Sequence, residues 1–214
     1  MNYKCIIFDC DGVLVDSEPI ANKMLIDMAD ELGVAISMDF AIDHFVGKSL
    51  YTCMKVIEDL GSFKLPTTFE KEFRRRSFDR FERELQPIPG IVGLVSSLEI
   101  PFCVASSGPL NKIELNLQLT GLFDYFKGKL FSCYQVQKWK PAPDVFLLAA
   151  KTMGFEPKDC LVIEDSIAGI TGAKNGGFSV IAYENDFNKK LIQSVGVPKI
   201  TAMKDVLTHL KPTS

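Results

Sequence analysis

Histidine is scarce in this sequence, and the two that occur, His44 and His209, lie far apart along the chain. A Ser–His–Asp or Cys–His catalytic arrangement is therefore disfavoured, because both need a histidine beside the nucleophile. No GxxxxGK[ST] string is present, which excludes a P-loop nucleotide site. The six cysteines form no CxxC pair and no zinc-ligand spacing, so we predict reduced thiols in a cytoplasmic protein.

Excess charge of one sign and long apolar runs are also missing. The net charge is −3, and the one basic run, Arg74–Arg76, is typical of a solvated helix face, so we expect no nucleic-acid partner. No apolar run approaches the ~18–20 residues that cross a bilayer, and the N-terminus lacks the layout of a signal peptide. We expect no membrane partner. A monomer is favoured, although no pattern in the sequence fixes the oligomeric state.

The chain has 214 residues, of which 47% are hydrophobic and 24% charged, as expected for a folded globular protein. Short apolar runs at 4–8, 101–105, 130–132, 160–163 and 178–182 predict buried strands. From residue 88 they alternate with helical patterns, which predicts a parallel α/β sheet covered on both faces. Residues 16–87 carry only helical patterns, such as Ile20, Met24 and Met28. We therefore predict a catalytic core of residues 1–15 and 88–214, with an inserted α-helical cap at 16–87.

Polar clusters follow four of the predicted strands. The carboxyl ends of parallel strands form one edge of a sheet, so these clusters are expected to converge there. Several carboxylates a few ångström apart need a cation to stay ionised, and all-oxygen ligands favour Mg²⁺. The clusters are Asp9-Cys10-Asp11-Gly12, Ser106-Ser107-Gly108, Lys140 and Glu164-Asp165.

A phosphate ester fits this set of groups. Asp9 can attack the phosphorus to give an aspartyl-phosphate, and Asp11 can protonate the leaving alkoxide and later accept a proton from water. Ser106 and Lys140 can hold the phosphoryl oxygens, helped by backbone N–H groups near Ser107 and Gly108. Each cluster alone is also typical of a turn, a helix cap or a helix entry. Their combination at successive strand ends favours a phosphohydrolase of a small phosphorylated metabolite.

The same residues carry a family resemblance. The segments FDCDGVLVDSE, VASSG, KPAPDVF and IEDSIAGI resemble the four motifs of the haloacid dehalogenase (HAD) superfamily, in the subfamily with a helical cap after the first motif. The resemblance implies a Rossmann-like core, Mg²⁺, Asp9 as nucleophile and Asp11 as general acid/base. It also implies that Asp165 and the main-chain carbonyl of Asp11 complete the metal site with Asp9, and that Glu164 assists beside them. Further segments resemble the sugar-phosphate phosphatases of this family.

Three other functions are open to such a chain. A phosphomutase similar to β-phosphoglucomutase is disfavoured because Ala21 and Leu50 stand where the mutase has a cap histidine and a phosphate-binding arginine, although a gapped alignment places Lys48 at the second position. Dehalogenation is disfavoured because dehalogenases do not keep the second acid, Asp11. A catalytically inactive binding protein is disfavoured because all the expected reactive residues are present.

Substrate choice is expected to depend on the cap, because the core contacts only the transferred phosphoryl group. The loop Gly47-Lys48-Ser49 and the helix bearing Arg74–Arg76 are the candidate elements. Lys48 could bind a substrate carboxylate such as that of 6-phosphogluconate, whereas the structural alternative is an exposed, solvated lysine.

Overall fold

An apolar run near the N-terminus forms the central strand of a parallel sheet in the computed structural model, which describes residues 3–210. The strands run in the order β3-β2-β1-β4-β5-β6, and every neighbouring pair is parallel. The chain reverses its direction of progress across the sheet between the first and fourth strands, where ligands bind in folds of this type. The strands are β1 (Cys5–Phe8), β2 (Phe102–Ser106), β3 (Leu130–Ser132), β4 (Cys160–Glu164), β5 (Ser179–Tyr183) and β6 (Lys199–Ile200).

Helices connect these strands, as the alternating pattern predicts. All residues of β1, β2 and β4 are buried, which explains why their sequences are continuous apolar runs rather than alternating ones. The prediction of a parallel α/β sheet is therefore confirmed. The helices are α1 (Glu18–Asp30), α2 (Met38–His44), α3 (Leu50–Gly61), α4 (Phe69–Glu84), α5 (Ile91–Ser97), α6 (Leu110–Leu119), α7 (Phe123–Phe126), α8 (Cys133–Val136), α9 (Asp144–Met153), α10 (Ile167–Asn175) and α11 (Val206–Leu210).

Apolar side chains fill the space between the sheet and its helices. One cluster joins Ile7 and Val162 of the sheet to Phe146 of α9 and Ile170 of α10. A second group contains Phe8, Phe102 and Phe126, whose rings meet edge to face at centroid distances of 6.3, 6.1 and 5.1 Å. This packing holds the strand ends in place, and with them the side chains that follow the strands.

The chain divides into two units, and the helical stretch forms the second of them. The first unit contains the residues up to Asp16 and those from Gln86 on, and the second is Ser17–Leu85. Within the second unit, α1 to α4 enclose their own apolar cluster, which includes Met24, Ile57 and Phe69. A backbone hydrogen bond joins the two segments of the first unit at the point where the chain leaves and re-enters it. The Asp16 N–H donates to the Gln86 carbonyl at 2.9 Å.

Several details differ from the sequence-based expectation. Strand β6 was not predicted, because two residues carry too short a pattern to recognise. The strand expected at 178–182 is Ser179–Tyr183. All six cysteines are buried and none forms a disulfide, as expected for reduced thiols. Among residues 3–210, no helix is long and apolar enough to cross a membrane.

Candidate active site

Lys140 connects two carboxylates that follow neighbouring strands. Its Nζ lies 2.6 Å from Asp9 Oδ1 and 2.6 Å from Glu164 Oε1, and it also donates to the Ala105 carbonyl at 3.0 Å. Only 4% of the Lys140 side chain is exposed. The three contacts use all three donors of an ammonium group, so a buried lysine is fully hydrogen-bonded here. The structure thus brings together three of the residues predicted for the site from strand ends far apart in sequence.

Electrostatic attraction keeps this lysine charged despite its burial. Burial alone lowers the pKa of Lys140, but the carboxylates of Asp9 and Glu164 outweigh that effect and hold the pKa above its usual range. A permanently charged ammonium beside Asp9 is suited to pairing with the oxygens of a phosphoryl group.

Glu164 is held on both of its oxygens. While Oε1 accepts from Lys140, Oε2 accepts from the Asp165 N–H at 2.9 Å, the Ser166 N–H at 2.9 Å and the Ser166 hydroxyl at 3.0 Å. The residue is completely buried. Gly169 of α10 lies against this carboxylate, since a β-carbon there would stand 1.8 Å from Glu164 Oε1. These contacts favour Glu164 as a residue that orients Lys140 and the Asp165 backbone, beside its predicted role at the metal.

Three carboxylates gather where β1 and β4 end. One oxygen from each of Asp9, Glu164 and Asp165 lies within 4.8 Å of the others. Burial raises the pKa of Asp9 from 3.8 to about 7, with Glu164 and Asp11 adding to the rise and Lys140 opposing it. The carboxylates therefore do not all ionise readily by themselves. A hard divalent cation would remove that penalty, and the all-oxygen donor set fits Mg²⁺.

Asp165 is positioned by contacts that the sequence did not suggest. The buried Asn188, which follows β5, donates from Nδ2 to the carbonyl oxygens of Asp165 and Tyr183, both at 2.8 Å. Gly12 has φ +78°, and a β-carbon there would stand 2.1 Å from Asp165 Oδ2. Glycine is therefore favoured at residue 12 both by its backbone conformation and by the space that Asp165 occupies.

The predicted phosphoryl-binding segment forms a hydrogen-bonded turn after β2. Ser106 is buried, and its Oγ accepts from the Gly108 N–H at 3.0 Å. Ser107 is exposed and lies beside the Cys133 thiol, 3.9 Å from Oγ to Sγ. The hydroxyl of Ser132, which the sequence did not single out, donates to the Gly108 carbonyl at 2.6 Å and so fixes the turn against β3.

Asp11 faces helix α6 through two residues that sequence reasoning missed. Lys112 Nζ lies 2.8 Å from each carboxylate oxygen of Asp11, and Asn116 Nδ2 lies 3.4 Å from Asp11 Oδ1. The available signal was the spacing of four residues between Lys112 and Asn116, which places both on one face of a helix that starts directly after the Ser-Ser-Gly turn. Cys10, between the two acids, is buried and its thiol pKa is raised well above the usual value, which disfavours it as a nucleophile.

The two candidate elements of the helical unit have different surroundings there. Lys48 is exposed, in the connection between α2 and α3. In α4, Arg74 pairs with Glu70, Arg75 pairs with Glu72 and Asp79, and Arg76 pairs with Glu72 and with Glu31 of α1. The basic run is thus neutralised by acidic neighbours. The predicted binding of a substrate carboxylate by Lys48 stays a prediction.

The sequence of this chain matches a known protein family. The family model for haloacid dehalogenase-like hydrolases matches residues 3–177. The chain belongs to this family. The resemblance in its motifs is thereby confirmed, as is the prediction that it is a hydrolase.

Individual relatives cover nearly the whole chain. The 6-phosphogluconate phosphatase of Escherichia coli (strain K12) is 33% identical over 209 residues, which is 97% of this chain and 91% of that protein. Among solved structures, a conserved haloacid dehalogenase-like protein of unknown function from Agrobacterium tumefaciens strain C58 has a TM-score of 0.88 at 29% identity and covers 98% of each chain. A putative β-phosphoglucomutase from Thermotoga maritima has a TM-score of 0.78 at 24% identity over 100% of both chains, which shows a shared fold.

Proposed function

We propose that this HAD-family hydrolase is a Mg²⁺-dependent phosphatase that cleaves the phosphate monoester of a small sugar phosphate through an aspartyl-phosphate on Asp9. The observation that carries the proposal is the contact of Lys140 with both Asp9 and Glu164, at 2.6 Å each, beside the carboxylate of Asp165. One buried site then holds a carboxylate nucleophile, a cation for the phosphoryl oxygens and oxygen ligands for a metal.

The reaction divides into two displacements at phosphorus. In the first, an oxygen of Asp9 bonds to phosphorus as the ester P–O bond breaks, and Asp11 gives its proton to the leaving alkoxide. In the second, the water oxygen bonds to phosphorus as the bond between Asp9 and phosphorus breaks, Asp11 accepts the proton of the water, and inorganic phosphate leaves with the Asp9 carboxylate restored. Lys140 and Ser106 stabilise the charge on the transferred phosphoryl oxygens in both displacements.

Two of the proposed metal ligands, the carboxylates of Asp9 and Asp165, lie close to each other. Asp9, Asp165 and the main-chain carbonyl of Asp11 would hold Mg²⁺, with Glu164 supporting Asp165 and Lys140 from the interior. When bound, Mg²⁺ neutralises the carboxylates and withdraws charge from the phosphoryl group. The raised pKa of Asp9 supports this assignment, because burial alone works against the ionised nucleophile that the reaction needs.

Covalent labelling tests the proposed nucleophile directly. The protein is mixed with Mg²⁺ and a [³²P]-labelled sugar phosphate and quenched in acid within milliseconds to seconds. We expect label that is stable in acid, released by base and absent from Asp9→Asn. Steady-state hydrolysis by the wild type that persists at an equal rate in Asp9→Asn would overturn the proposal.

We further propose that the substrate carries a carboxylate, which Lys48 binds. The relative from Escherichia coli bears the name 6-phosphogluconate phosphatase, and Lys48 offers an exposed ammonium in the helical unit. We expect Lys48→Ala to raise KM for 6-phosphogluconate but not for glucose 6-phosphate, which lacks the carboxylate. Lys55→Ala, in the exposed ion pair with Asp59, serves as the control. Equal KM changes for both substrates would remove Lys48 from the binding site.

The phosphomutase alternative has its own measurement. Incubation with β-glucose 1-phosphate and a bisphosphate primer is expected to release inorganic phosphate faster than it forms glucose 6-phosphate, and the reverse order would make the chain a mutase. We also propose a cytoplasmic location for the protein. The six cysteines, which are buried and form no disulfide, support this location. Fractionation of cells that express the protein tests it.

A further inference from the structure

Lys112 makes a two-point contact with the carboxylate of Asp11. Its Nζ lies 2.8 Å from Oδ1 and 2.8 Å from Oδ2, and both side chains are 21% exposed. An ammonium placed symmetrically between two oxygens restrains the direction in which the carboxylate points, which a contact with one oxygen does less well. The contact joins residues that are 101 positions apart in sequence.

The same helix face provides a second contact. Asn116 lies one turn after Lys112 in α6, is fully buried, and directs its Nδ2 toward Asp11 Oδ1. Its own Oδ1 has no hydrogen-bond partner among residues 3–210. An apolar side chain at this position would avoid the loss of hydration that the unpartnered oxygen suffers. A buried polar group that is poorly satisfied, yet faces the proposed acid, is more easily explained by function than by stability.

Gly108 locates this pair relative to the proposed phosphoryl-binding turn. A β-carbon on Gly108 would stand 3.5 Å from Ser106 Oγ, 3.6 Å from Lys112 Cδ and 3.9 Å from Asp11 Oδ2. The three groups therefore surround one point of the turn. Lys112 holds the Asp11 carboxylate on the side of the site where the Ser106 hydroxyl lies.

We infer that Lys112 is a positioning residue for Asp11, with Asn116 in a lesser role, and that it keeps this side chain in the place from which its protonated form, loaded by the proton taken from water in the second displacement, gives a proton to the leaving alkoxide. The inference rests on the proposed function, since it concerns the first displacement. There the Asp9–phosphorus bond forms, the ester P–O bond breaks, and the proton of Asp11 moves to the departing oxygen. The structural alternative is an ion pair that only fastens α6 to the loop after β1.

Leaving groups of different basicity distinguish these two roles. An alkoxide leaving from glucose 6-phosphate needs the proton, whereas p-nitrophenolate and acetate leave as stable anions from p-nitrophenyl phosphate and acetyl phosphate. The quantity to compare is kcat/KM, because it reports only the steps through the first displacement and is not affected by hydrolysis of the aspartyl-phosphate.

The test uses Lys112→Met with saturating Mg²⁺. We expect kcat/KM for glucose 6-phosphate to fall about tenfold to a hundredfold more than kcat/KM for the two substrates that need no proton, within the range that general acid catalysis contributes. Lys112→Arg, which keeps the charge and the donors, is expected to recover most of the loss. Glu114→Gln, at an exposed position of the same helix, is the matched control and should change neither value.

A second variant and a second readout guard against misfolding. Asn116→Leu is expected to shift the ratio of the two kcat/KM values in the same direction by a smaller factor, with an unchanged or higher melting temperature. A double-mutant cycle between Lys112→Met and Asp11→Asn in metal-free protein tests the contact without an activity assay. We expect the change in melting temperature of the double variant to differ from the sum of the two single changes.

Equal losses on all three substrates, or no loss, would overturn the positioning role while leaving the proposed phosphatase intact. A wild-type protein that hydrolyses none of the three substrates, or an Asp9→Asn variant that hydrolyses them equally well, would instead overturn the proposed function and this inference together.

Discussion

Gly12 lies so close to Asp165 that a β-carbon on residue 12 would stand 2.1 Å from Asp165 Oδ2. The two residues belong to different strand ends, after β1 and after β4, so the glycine sets how closely these ends approach. The carboxylate occupies the space that any other side chain at position 12 would need. The geometry of the predicted metal site therefore depends on the absence of a side chain as much as on the carboxylates.

Substitution of Gly12 by alanine is predicted to weaken metal binding. The added carbon must displace the Asp165 carboxylate, so we expect the affinity for Mg²⁺, or for Mn²⁺ as a probe, to fall about tenfold to a hundredfold in calorimetric titration. Gly128→Ala is the matched control, because Gly128 has a similar φ of +76° but no atom within 4 Å of the added carbon. Equal metal affinity in both variants would contradict the prediction.

Substitution of Gly169 by alanine is predicted to disturb Glu164. A β-carbon there would stand 1.8 Å from Glu164 Oε1, so the carboxylate must move and give up contacts with Lys140 or with the backbone of Asp165 and Ser166. We expect a lower melting temperature and loss of most phosphatase activity.

The control for this change is Gly93→Ala. Gly93 is an exposed glycine inside helix α5 with free space around it. Alanine there should stabilise the protein by up to about 1 kcal/mol, because alanine is the better helix former. Unfolding curves that move in the same direction for both variants would show that the Glu164 contact does not matter.

Lys140→Met is predicted to destabilise the metal-free protein strongly. Removal of the ammonium leaves two buried carboxylates, Asp9 and Glu164, without their common partner, which typically costs about 3–5 kcal/mol. Chemical denaturation measures the effect. Lys138→Met, which breaks an exposed ion pair with Asp144, should cost at most about 1 kcal/mol. Similar losses of unfolding free energy in the two variants would mean that the buried ion pairs of Lys140 stabilise the protein no more than an exposed ion pair does.

The raised pKa of Asp9 predicts a pH-dependent stability of the metal-free protein. Its pKa is about 7 in the folded chain against an ordinary 3.8, so the folded state binds this proton more tightly than the unfolded state. The contribution of Asp9 to the free energy of unfolding is fully present below about pH 4 and decreases as the pH rises toward 7. We expect the melting temperature of wild type to fall relative to Asp9→Asn between pH 5 and pH 8.

Mg²⁺ should reverse this trend, because it binds the ionised carboxylates. The increase in melting temperature on addition of Mg²⁺ is therefore expected to be larger at pH 8 than at pH 5.5 in wild type, and small at both values in Asp9→Asn. An increase that does not depend on pH would contradict the assignment of Asp9 to the metal site.

The predictable part of the site consists of residues that directly follow apolar strands. Asp9 and Asp11 come after β1, Ser106 ends β2, and Glu164 and Asp165 come at the end of β4. The apolar runs predict the strands, and parallel strands end at a common edge, so sequence position and three-dimensional position are closely related for these residues. Lys140 was predicted on the same basis, although it follows the short strand β3 by several residues.

The supporting contacts could not be obtained in this way. Lys112 and Asn116 meet Asp11 because α6 turns one face toward the loop after β1, and Asn188 meets Asp165 because the chain folds back after β5. The sequence by itself determined the chemistry of the strand ends and the class of fold, because both depend on local patterns of hydrophobicity and charge. Only the tertiary structure decided which helix faces and which glycines stand against those carboxylates, because helix packing sets such contacts between residues far apart in the chain.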